Sequence, residues 1–477
     1  MLFNSLAYIV FLSVVVVAYF LAAPRWRVWL LLAASYFFYM CWAWEYALFL
    51  IVQTGISYAC AEYLGGEPHR PYRRLCLAAA LSASLGMLAY FKYYNFFVDS
   101  VSATLRILGF GLTLRHLEIL LPVGISFDSF RAVSYMIDAY RGTIPARTRL
   151  SHFALYMAFF PLLLAGPIER AGNLLAQFER RNSFDITRFV EGGKLIAWGL
   201  FKKVVIADRL AFYVDRIYGD PGSYSGSTLL LATYFFAFQI YCDFSGYSDM
   251  AIGSARLLGY DLMQNFNLPY YATSMTDFWR RWHISLSTWF RDYVYIPLGG
   301  SRVSAARWSL NIAAVFLLSG LWHGASWTFV TWGGLHAFYY LAEHAWRRGA
   351  RNLPFLKTLS PRVLKPLQIV VVFHLVLFAW VFFRAASVSQ AALIVSRIAT
   401  DLGGRLYLGP SQFTMAVSLV LVGVLLLYQY AQARGVVSLH FSRTRVPLPV
   451  RFAGYAGLLL LTGLLAVPAN RFIYSQF

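Results

Sequence analysis

Two histidines stand in surroundings that ordinary membrane packing does not require. His323 lies between Gly320 and Gly324 near the end of an apolar segment, and a GxxxG spacing lets another backbone or a substrate approach closely. An ionisable side chain at membrane depth is costly, so it is a functional-site hypothesis by default, with proton transfer as the chemistry it could support. The alternative without chemistry is a structural role, in which a neutral histidine forms a hydrogen bond across a pair of helices.

The second histidine, His283, lies in a polar segment that also contains three tryptophans and three arginines. If residues 276–293 form one helix, Trp279, His283 and Ser287 fall on one face at i, i+4 and i+8. Asp277 would then pair with Arg281 at i+4. The alternative without chemistry is an interfacial helix at the level of the lipid headgroups.

Other polar positions complete the list of candidates. Asp243 and Asp249, with two serines between them, are expected at the end of an apolar helix. His336 follows His323 by 13 positions, roughly 220° around a continuous helix, so it need not face the same cavity. His374 has only apolar neighbours in the sequence and is interpreted as packing.

The absence of several catalytic motifs reduces the number of chemistries that the sequence supports. The sequence has no GxSxG, HxxxxD, HExxH, P-loop or GxGxxG pattern, so serine-hydrolase, metal and nucleotide chemistry have no support. The four cysteines form no CxxC pair, and we expect neither a disulfide framework nor a metal site.

Composition indicates the elements that position these residues. Of 477 residues, 59% are hydrophobic and 13% are charged, against about 25% charged in a typical soluble domain. A single soluble core cannot bury that much apolar surface, so the sequence predicts an all-α, polytopic integral membrane protein. The net charge of +20 comes from short basic clusters between apolar runs, which is the positive-inside pattern rather than a sign of nucleic-acid binding.

The apolar runs predict about a dozen membrane helices in one integral domain, residues 1–477. Arg25 and Arg27 follow the first run, Leu2–Ala23, so the N-terminus is predicted to be extracytoplasmic. Pro122 and Pro161 interrupt apolar sequence and suggest re-entrant or funnel-lining segments. The polar core spans about 241–324, and 385–477 contains generic C-terminal spans. The other candidate spans are 28–44, 46–64, 75–90, 119–136, 153–165, 189–206, 229–247, 308–321, 327–341, 367–383, 413–429 and 453–467.

Several segments closely resemble the membrane-bound O-acyltransferase (MBOAT) family, in its bacterial alginate O-acetylation branch. The sequence departs from that pattern at Asp128–Ser129 and Glu169–Arg170. The matching segments are 121–127 (LPVGISF), 134–141 (SYMIDAYR), 165–167 (AGP), 201–203 (FKK), 243–253 (DFSGYSDMAIG), 278–289 (FWRRWHISLSTW) and 320–324 (GLWHG).

The resemblance implies 11–13 membrane helices, with re-entrant or interfacial helices, around a central funnel. It implies transfer of an acetyl group from a cytoplasmic thioester, acetyl-CoA or another acyl thioester, with no bound cofactor or metal. The family's essential histidine matches His323, and its second polar position matches His283. Supporting or substrate-binding roles are expected for Asp243, Trp279, Arg280, Arg281, Ser287, Trp322, Gly320 and Gly324.

The chemistry needs a base for the acceptor hydroxyl, and membrane depth would keep His323 neutral for that task. His283, with Ser287, could orient the thioester or stabilise charge on its oxygen. Arg280, Arg281, Lys202 and Lys203 are candidates for binding the phosphates of the donor or of anionic lipids. These residues would act at the cytoplasmic mouth of the protein.

The expected setting is the bacterial inner membrane, where the enzyme serves a secreted or cell-surface polysaccharide. Peptidoglycan, teichoic acid or another glycan such as cellulose stays open as the acceptor. A proton-coupled transporter, with the histidines as a relay, is the alternative from another class. Because no long polar stretch interrupts the apolar runs, we expect a separate periplasmic or surface acyltransferase to complete delivery.

Overall fold

The described part of the chain is built from α-helices, with short π-helical and 3₁₀ segments among them. The computed structural model describes residues 1–65, 70–110, 114–119, 121–144, 148–164, 166–350, 360–437, 447–467 and 473. The helices are α1 Leu6–Leu21, α2 Pro24–Met40, α3 Glu45–Gly65, α4 Arg73–Leu88, α5 Tyr94–Ile107, α6 Ile125–Arg141, α7 Leu150–Ala158, α8 Phe160–Leu163, α9 Ala171–Phe178, α10 Ile186–Leu200, α11 Asp208–Gly219, α12 Gly226–Leu257, α13 Met275–Trp279, α14 Ile284–Phe290, α15 Ala305–His323, α16 Trp327–Ala350, α17 Pro361–Arg384, α18 Val388–Thr400, α19 Gln412–Ala433 and α20 Leu448–Leu465.

Six of the described helical segments are long and apolar enough to cross a bilayer, which needs about 20 residues. They are α3, the stretch Arg73–Ile107 (α4, a π-helical turn and α5), α12, α15, α17 and α19. Three shorter apolar helices are Leu6–Leu21, Val388–Thr400 and Phe452–Leu465. The all-α, multi-pass membrane class is thereby confirmed, whereas the count of 11–13 helices and the funnel stay predictions.

The chain forms two compact units, each described by itself below. The first comprises Met1–Gly193 and Ala251–Met263, and the second comprises Lys194–Met250 and Gln264–Phe477. Helices α10 and α12 each contribute residues to both units. The single membrane domain expected for residues 1–477 stays a prediction.

In the first unit, the helix breaks expected at Pro122 and Pro161 are present. Gly124 has φ +80°, and a Cβ there would collide with the carbonyl oxygen of Leu163, so the turn before α6 requires glycine. The α7 helix stops at Ala158, and α8 begins one residue before Pro161. The buried Arg131 side chain forms an ion pair with Asp128 on α6 and donates to the carbonyl oxygens at the end of α7.

In the second unit, α15 and α16 form a hairpin whose glycines allow close contact. A Cβ at Gly320 would collide with the carbonyl oxygen of Phe329, and one at Gly324 would collide with the ring of the same residue. Gly333 on α16 meets the carbonyl oxygen of Phe316 in the same way. The close approach expected from the GxxxG spacing is confirmed.

Two local expectations in this unit are wrong. Residues 276–293 do not form one helix, because α13 ends at Trp279 and α14 begins after His283, whose φ is +43°. Trp279, His283 and Ser287 therefore do not share a helical face. Asp243 and Asp249 lie well inside the 32-residue α12 rather than at its end.

Candidate active site

The two candidate histidines lie close together in the second unit. His323 is the last residue of α15 and is 2% exposed, and His283 is fully buried. Their ring centroids are 6.2 Å apart. Trp322 lies near both rings, at 5.7 Å from His283 and 5.0 Å from His323. The structure thus brings together three candidates that 40 residues of sequence separate.

Large aromatic side chains surround this histidine pair. The ring of Trp332 lies 5.0 Å from that of His323, and the ring of Phe383 lies 5.4 Å from it. Both are essentially fully buried. We refer to His283, His323, Trp322, Trp332 and Phe383 as the histidine–aromatic cluster.

His283 adopts a left-handed backbone conformation that few non-glycine residues favour, at a cost of about 1–3 kcal/mol. Hydrogen bonds on the far side of the turn fix it. The Ile284 amide donates to the carbonyl oxygen of Asn265 at 3.0 Å, and the Ser285 hydroxyl donates to the Asn265 side-chain oxygen at 2.6 Å. The Asn265 amide donates in turn to the Ser248 hydroxyl at 3.0 Å. Asn265 therefore positions His283, and no spacing in the sequence links residues 265 and 285.

The surroundings of His283 keep its ring uncharged. The ring of Phe244 meets the imidazole edge-on at 4.6 Å. His283 itself lies outside the six candidate membrane spans. Burial lowers the pKa of His283 to about 3, because a buried site disfavours the cation. At neutral pH this side chain is a neutral hydrogen-bonding group.

A cavity of about 360 Å³ adjoins this region and contains three of the predicted site residues, Trp279, Arg280 and Ser287. Four positions of α15 form one stripe along its wall, Ile312, Val315, Phe316 and Ser319. Because His323 follows Ser319 by one helical turn, the stripe leads to the histidine. The remaining lining residues are Thr276, Ile284, Leu286, Thr288, Phe290, Arg291, Tyr295 and Tyr340.

Arg281 has a different position from its neighbour Arg280. Its Nε donates to Asp277 at 2.7 Å, the i+4 pair expected from the sequence, and its Nη1 contacts the carbonyl oxygen of Asn267 at 3.3 Å. Arg281 thus holds the turn after α13, whereas Arg280 and Arg291 line the cavity. Arg291 was not among the predicted residues, although a basic residue one turn after Ser287 was a usable signal.

The tryptophans of this segment do not support the interfacial alternative. Trp282 is fully buried, and Trp289 is 5% exposed. The ring of Trp282 packs on Phe266 at 5.1 Å and on Trp380 at 5.0 Å. Both indoles therefore belong to the protein interior rather than to a lipid-facing surface.

Asp243 belongs to a buried network of ion pairs. It forms an ion pair with the Nζ of Lys203 at 2.6 Å, and the same Nζ pairs with Asp208 at 2.7 Å. Lys202 pairs with Asp249 at 2.8 Å. We refer to these five residues as the lysine–carboxylate cluster. Both lysines are buried in ion pairs. Their role at donor phosphates stays a prediction, and it would require them to leave these carboxylate partners.

His336 is closer to the site than the sequence suggested. The estimate of its direction assumed a continuous helix from His323, but residues 324–326 separate α15 from α16. Its fully buried ring lies 4.7 Å from that of Trp332 and 4.9 Å from that of Trp279. Neither ring nitrogen has a hydrogen-bond partner within the described residues. Trp332 therefore contacts both His323 and His336, and sequence reasoning missed it.

Among the described residues, no three His, Cys, Asp or Glu side chains lie together in a way that could hold a metal ion. The four cysteines are free thiols.

Comparison with known proteins identifies the class of this site. Residues 144–388, half of the chain, match the model of "MBOAT, membrane-bound O-acyltransferase family". The chain belongs to this family, and it is an acyltransferase embedded in a membrane.

Three individual relatives indicate which branch of the family the chain resembles. "Probable alginate O-acetylase AlgI" of Pseudomonas aeruginosa is 42% identical over 82% of this chain and 73% of its own length. "Peptidoglycan O-acetyltransferase" of Helicobacter pylori is 34% identical over 77% of this chain and 73% of its own length. "Teichoic acid D-alanyltransferase" of Bacillus subtilis is 29% identical over 55% of this chain and 68% of its own length. The predicted alginate O-acetylation branch of the family is confirmed.

Proposed function

We propose that this enzyme moves an acetyl group from a cytoplasmic thioester across the bacterial inner membrane, for O-acetylation of a secreted or cell-surface polysaccharide, with His323 as the general base. The observation that carries the proposal is the stripe on α15, which lines the cavity and leads to His323. A thioester bound in the cavity would extend along this stripe toward the imidazole. Gly320 and Gly324 keep the helix hairpin tight at that point.

The reaction balances without a cofactor. A ring nitrogen of His323 takes the proton of the acceptor hydroxyl, whose oxygen attacks the thioester carbonyl carbon. The carbon–sulfur bond then breaks, and the leaving thiolate takes the proton from His323, so an ester and a thiol are formed. Such positioned proton transfer contributes about 10²–10⁴-fold to the rate.

His283 is suited to a different task. Since its ring is neutral, one nitrogen carries a proton and can donate a hydrogen bond to the thioester oxygen as negative charge develops there. The hydrogen bonds through Asn265 hold the residue in place before the substrate arrives. Such preorganisation spares the cost of reorienting the group during the reaction.

The cavity matches the needs of a thioester donor such as acetyl-CoA or an acyl carrier protein. Its volume is within the range of about 300–1,000 Å³ that is usual for ligand sites. Arg280 and the exposed Arg291, which also pairs with Asp292 at 2.8 Å, supply cations for phosphates. Trp279 and Phe316 supply an apolar wall for the arm. The basic clusters that set the predicted topology, with the N-terminus outside, favour a cytoplasmic donor.

The acceptor and the partner rest on the relatives. The two relatives with O-acetylation in their names are named for alginate and for peptidoglycan, which favours a polysaccharide acceptor. The teichoic-acid enzyme is named for transfer of D-alanine instead, so peptidoglycan and teichoic acid stay as alternative acceptors. A separate periplasmic or surface acyltransferase would complete delivery.

Replacement of His323 tests the central assignment. We expect His323→Ala to lower acyl transfer by about 10²–10⁴-fold while the protein still accumulates in the membrane. The matched control is His374→Ala, since His374 is exposed and contacts Tyr234 away from the cluster. The measurement is thiol release and ester formation in vesicles that contain the full chain. Retained transfer in His323→Ala, or ion-coupled flux without acyl loss, would contradict the proposal.

A further inference from the structure

The indole of Trp332 contacts both a residue of the cavity wall, Trp279, and the ring of His323. Ser319, at the inner end of the α15 stripe, precedes His323 by four residues, or about 6 Å along the helix axis. Trp332 on α16 faces this stretch, since its ring lies 5.8 Å from that of Trp279 and 5.0 Å from that of His323. An acyl group carried from the cavity wall toward the imidazole must therefore fit beside Trp332.

The indole of Trp332 has little freedom to move aside. It is fully buried, and it packs face-on against Trp380 at 6.0 Å. Phe383 meets it at 5.4 Å and also meets Trp380 at 5.1 Å. Since protein interiors are close-packed, a ring held on several sides does not yield space for extra methylene groups without cost.

We propose that Trp332 is a specificity-determining residue that limits the transferred acyl group to a short chain, with Phe383 as a second ring beside His323 that has the same effect. The inference rests on the proposed function, because it takes His323 as the place where the acyl group reacts. One methylene group in an apolar pocket changes rates by about 10–200-fold. Two rings beside His323 therefore suffice to favour acetyl over butyryl.

Opening the space tests the inference. The probes are S-acetyl-, S-butyryl- and S-hexanoyl-pantetheine, which carry the arm shared by coenzyme A and acyl carrier proteins. Thiol release is measured in vesicles that contain the full chain. We expect Trp332→Leu to raise the ratio of butyryl to acetyl transfer by at least about tenfold, and Phe383→Leu to raise it by a smaller factor.

Trp198→Leu is the matched control, because it removes a buried indole whose ring neighbours are Phe201 and Tyr428 rather than a histidine. Its ratio should stay that of the parent. An unchanged ratio in a Trp332→Leu variant that still transfers acetyl would overturn the inference. Loss of all chain lengths in both Trp332→Leu and Phe383→Leu would also overturn it, because a ring that only limits size is not needed for acetyl transfer.

The two proposals fail in distinguishable ways. His323→Ala in the Trp332→Leu background should abolish transfer of every chain length. If acetyl transfer persists there, the assignment of His323 as the base is wrong. If His323→Ala is inactive but the Trp332→Leu ratio is that of the parent, only the role of Trp332 is wrong.

Discussion

The second unit contains two groups of buried polar side chains that solve the problem of burial differently. In the lysine–carboxylate cluster, two lysines are matched with three carboxylates at 2.6–2.8 Å. In the histidine–aromatic cluster, the titratable groups are imidazoles among aromatic rings, and His283 is held neutral. One cluster balances charge against charge, while the other avoids charge.

This difference indicates which cluster has a structural role and which has a chemical one. A buried ion is tolerated only when a partner of opposite charge and further hydrogen bonds compensate its lost hydration. Such a group is committed to its partners and has little capacity left for a substrate. A neutral imidazole keeps a donor and an acceptor, so it can take a proton and return it. We therefore place catalysis at His283 and His323, the two imidazoles of the histidine–aromatic cluster.

Breaking the lysine–carboxylate cluster should have the largest effect on stability. Lys203→Met removes the cation that Asp208 and Asp243 share and leaves both carboxylates buried. Loss of one partner from a buried pair costs about 3–5 kcal/mol, so we expect poor accumulation in the membrane and a strongly lowered melting temperature. The measurement is thermal unfolding of the purified full chain.

Lys365→Met provides the control for that change, because Lys365 is exposed on α17. Surface substitutions of this kind usually change stability by less than about 0.5 kcal/mol. Equal melting temperatures for the two variants would contradict the structural role of the lysine–carboxylate cluster. They would also remove the contrast with the histidine–aromatic cluster.

Changing His283 should affect catalysis rather than stability. His283→Gly keeps the left-handed backbone, which glycine adopts readily, but removes the ring. Loss of one donor to a developing oxyanion costs about 10²–10³-fold in rate. We expect that loss in acetyl transfer, measured as thiol release in vesicles, at near-parental membrane accumulation.

His283→Asn sharpens the same test. Asparagine also tolerates the left-handed conformation and carries an amide donor, so it should restore part of the transfer lost in His283→Gly. Full activity of the glycine variant would show that the side chain has no part in the reaction. Equal inactivity of the two variants would contradict the hydrogen-bonding role.

The sequence predicted those features that depend on near neighbours in the chain. Apolar runs gave the all-α membrane class, and Gly320 and Gly324 marked a close helix contact beside His323. The pair of Asp277 and Arg281 followed from i+4 spacing alone. Each of these rests on interactions within one or two helical turns.

Features fixed by distant residues were not predictable in this way. The turn at His283 depends on Asn265, so a helical pattern through 276–293 was misleading. Adjacent lysines at 202 and 203 looked available to phosphates because their carboxylate partners are up to 47 residues away. The contacts of His336 with Trp279 and Trp332 were not predicted, since the break before α16 resets the helical direction.

The smallest effect is expected at the mouth of the cavity, where charge is exposed and screened by salt. Arg280→Gln with Arg291→Gln should raise the KM for acetyl-CoA a fewfold and leave kcat near that of the parent, because exposed ionic contacts contribute about 0–1 kcal/mol each. The effect should fade at high ionic strength. S-acetyl-pantetheine is the control, since it lacks the phosphates of the nucleotide and its KM should not change. An equal rise in KM for both thioesters would mean that the arginines shape the cavity instead of binding phosphate. The comparison would then rest on the lysine–carboxylate cluster and the histidine–aromatic cluster alone.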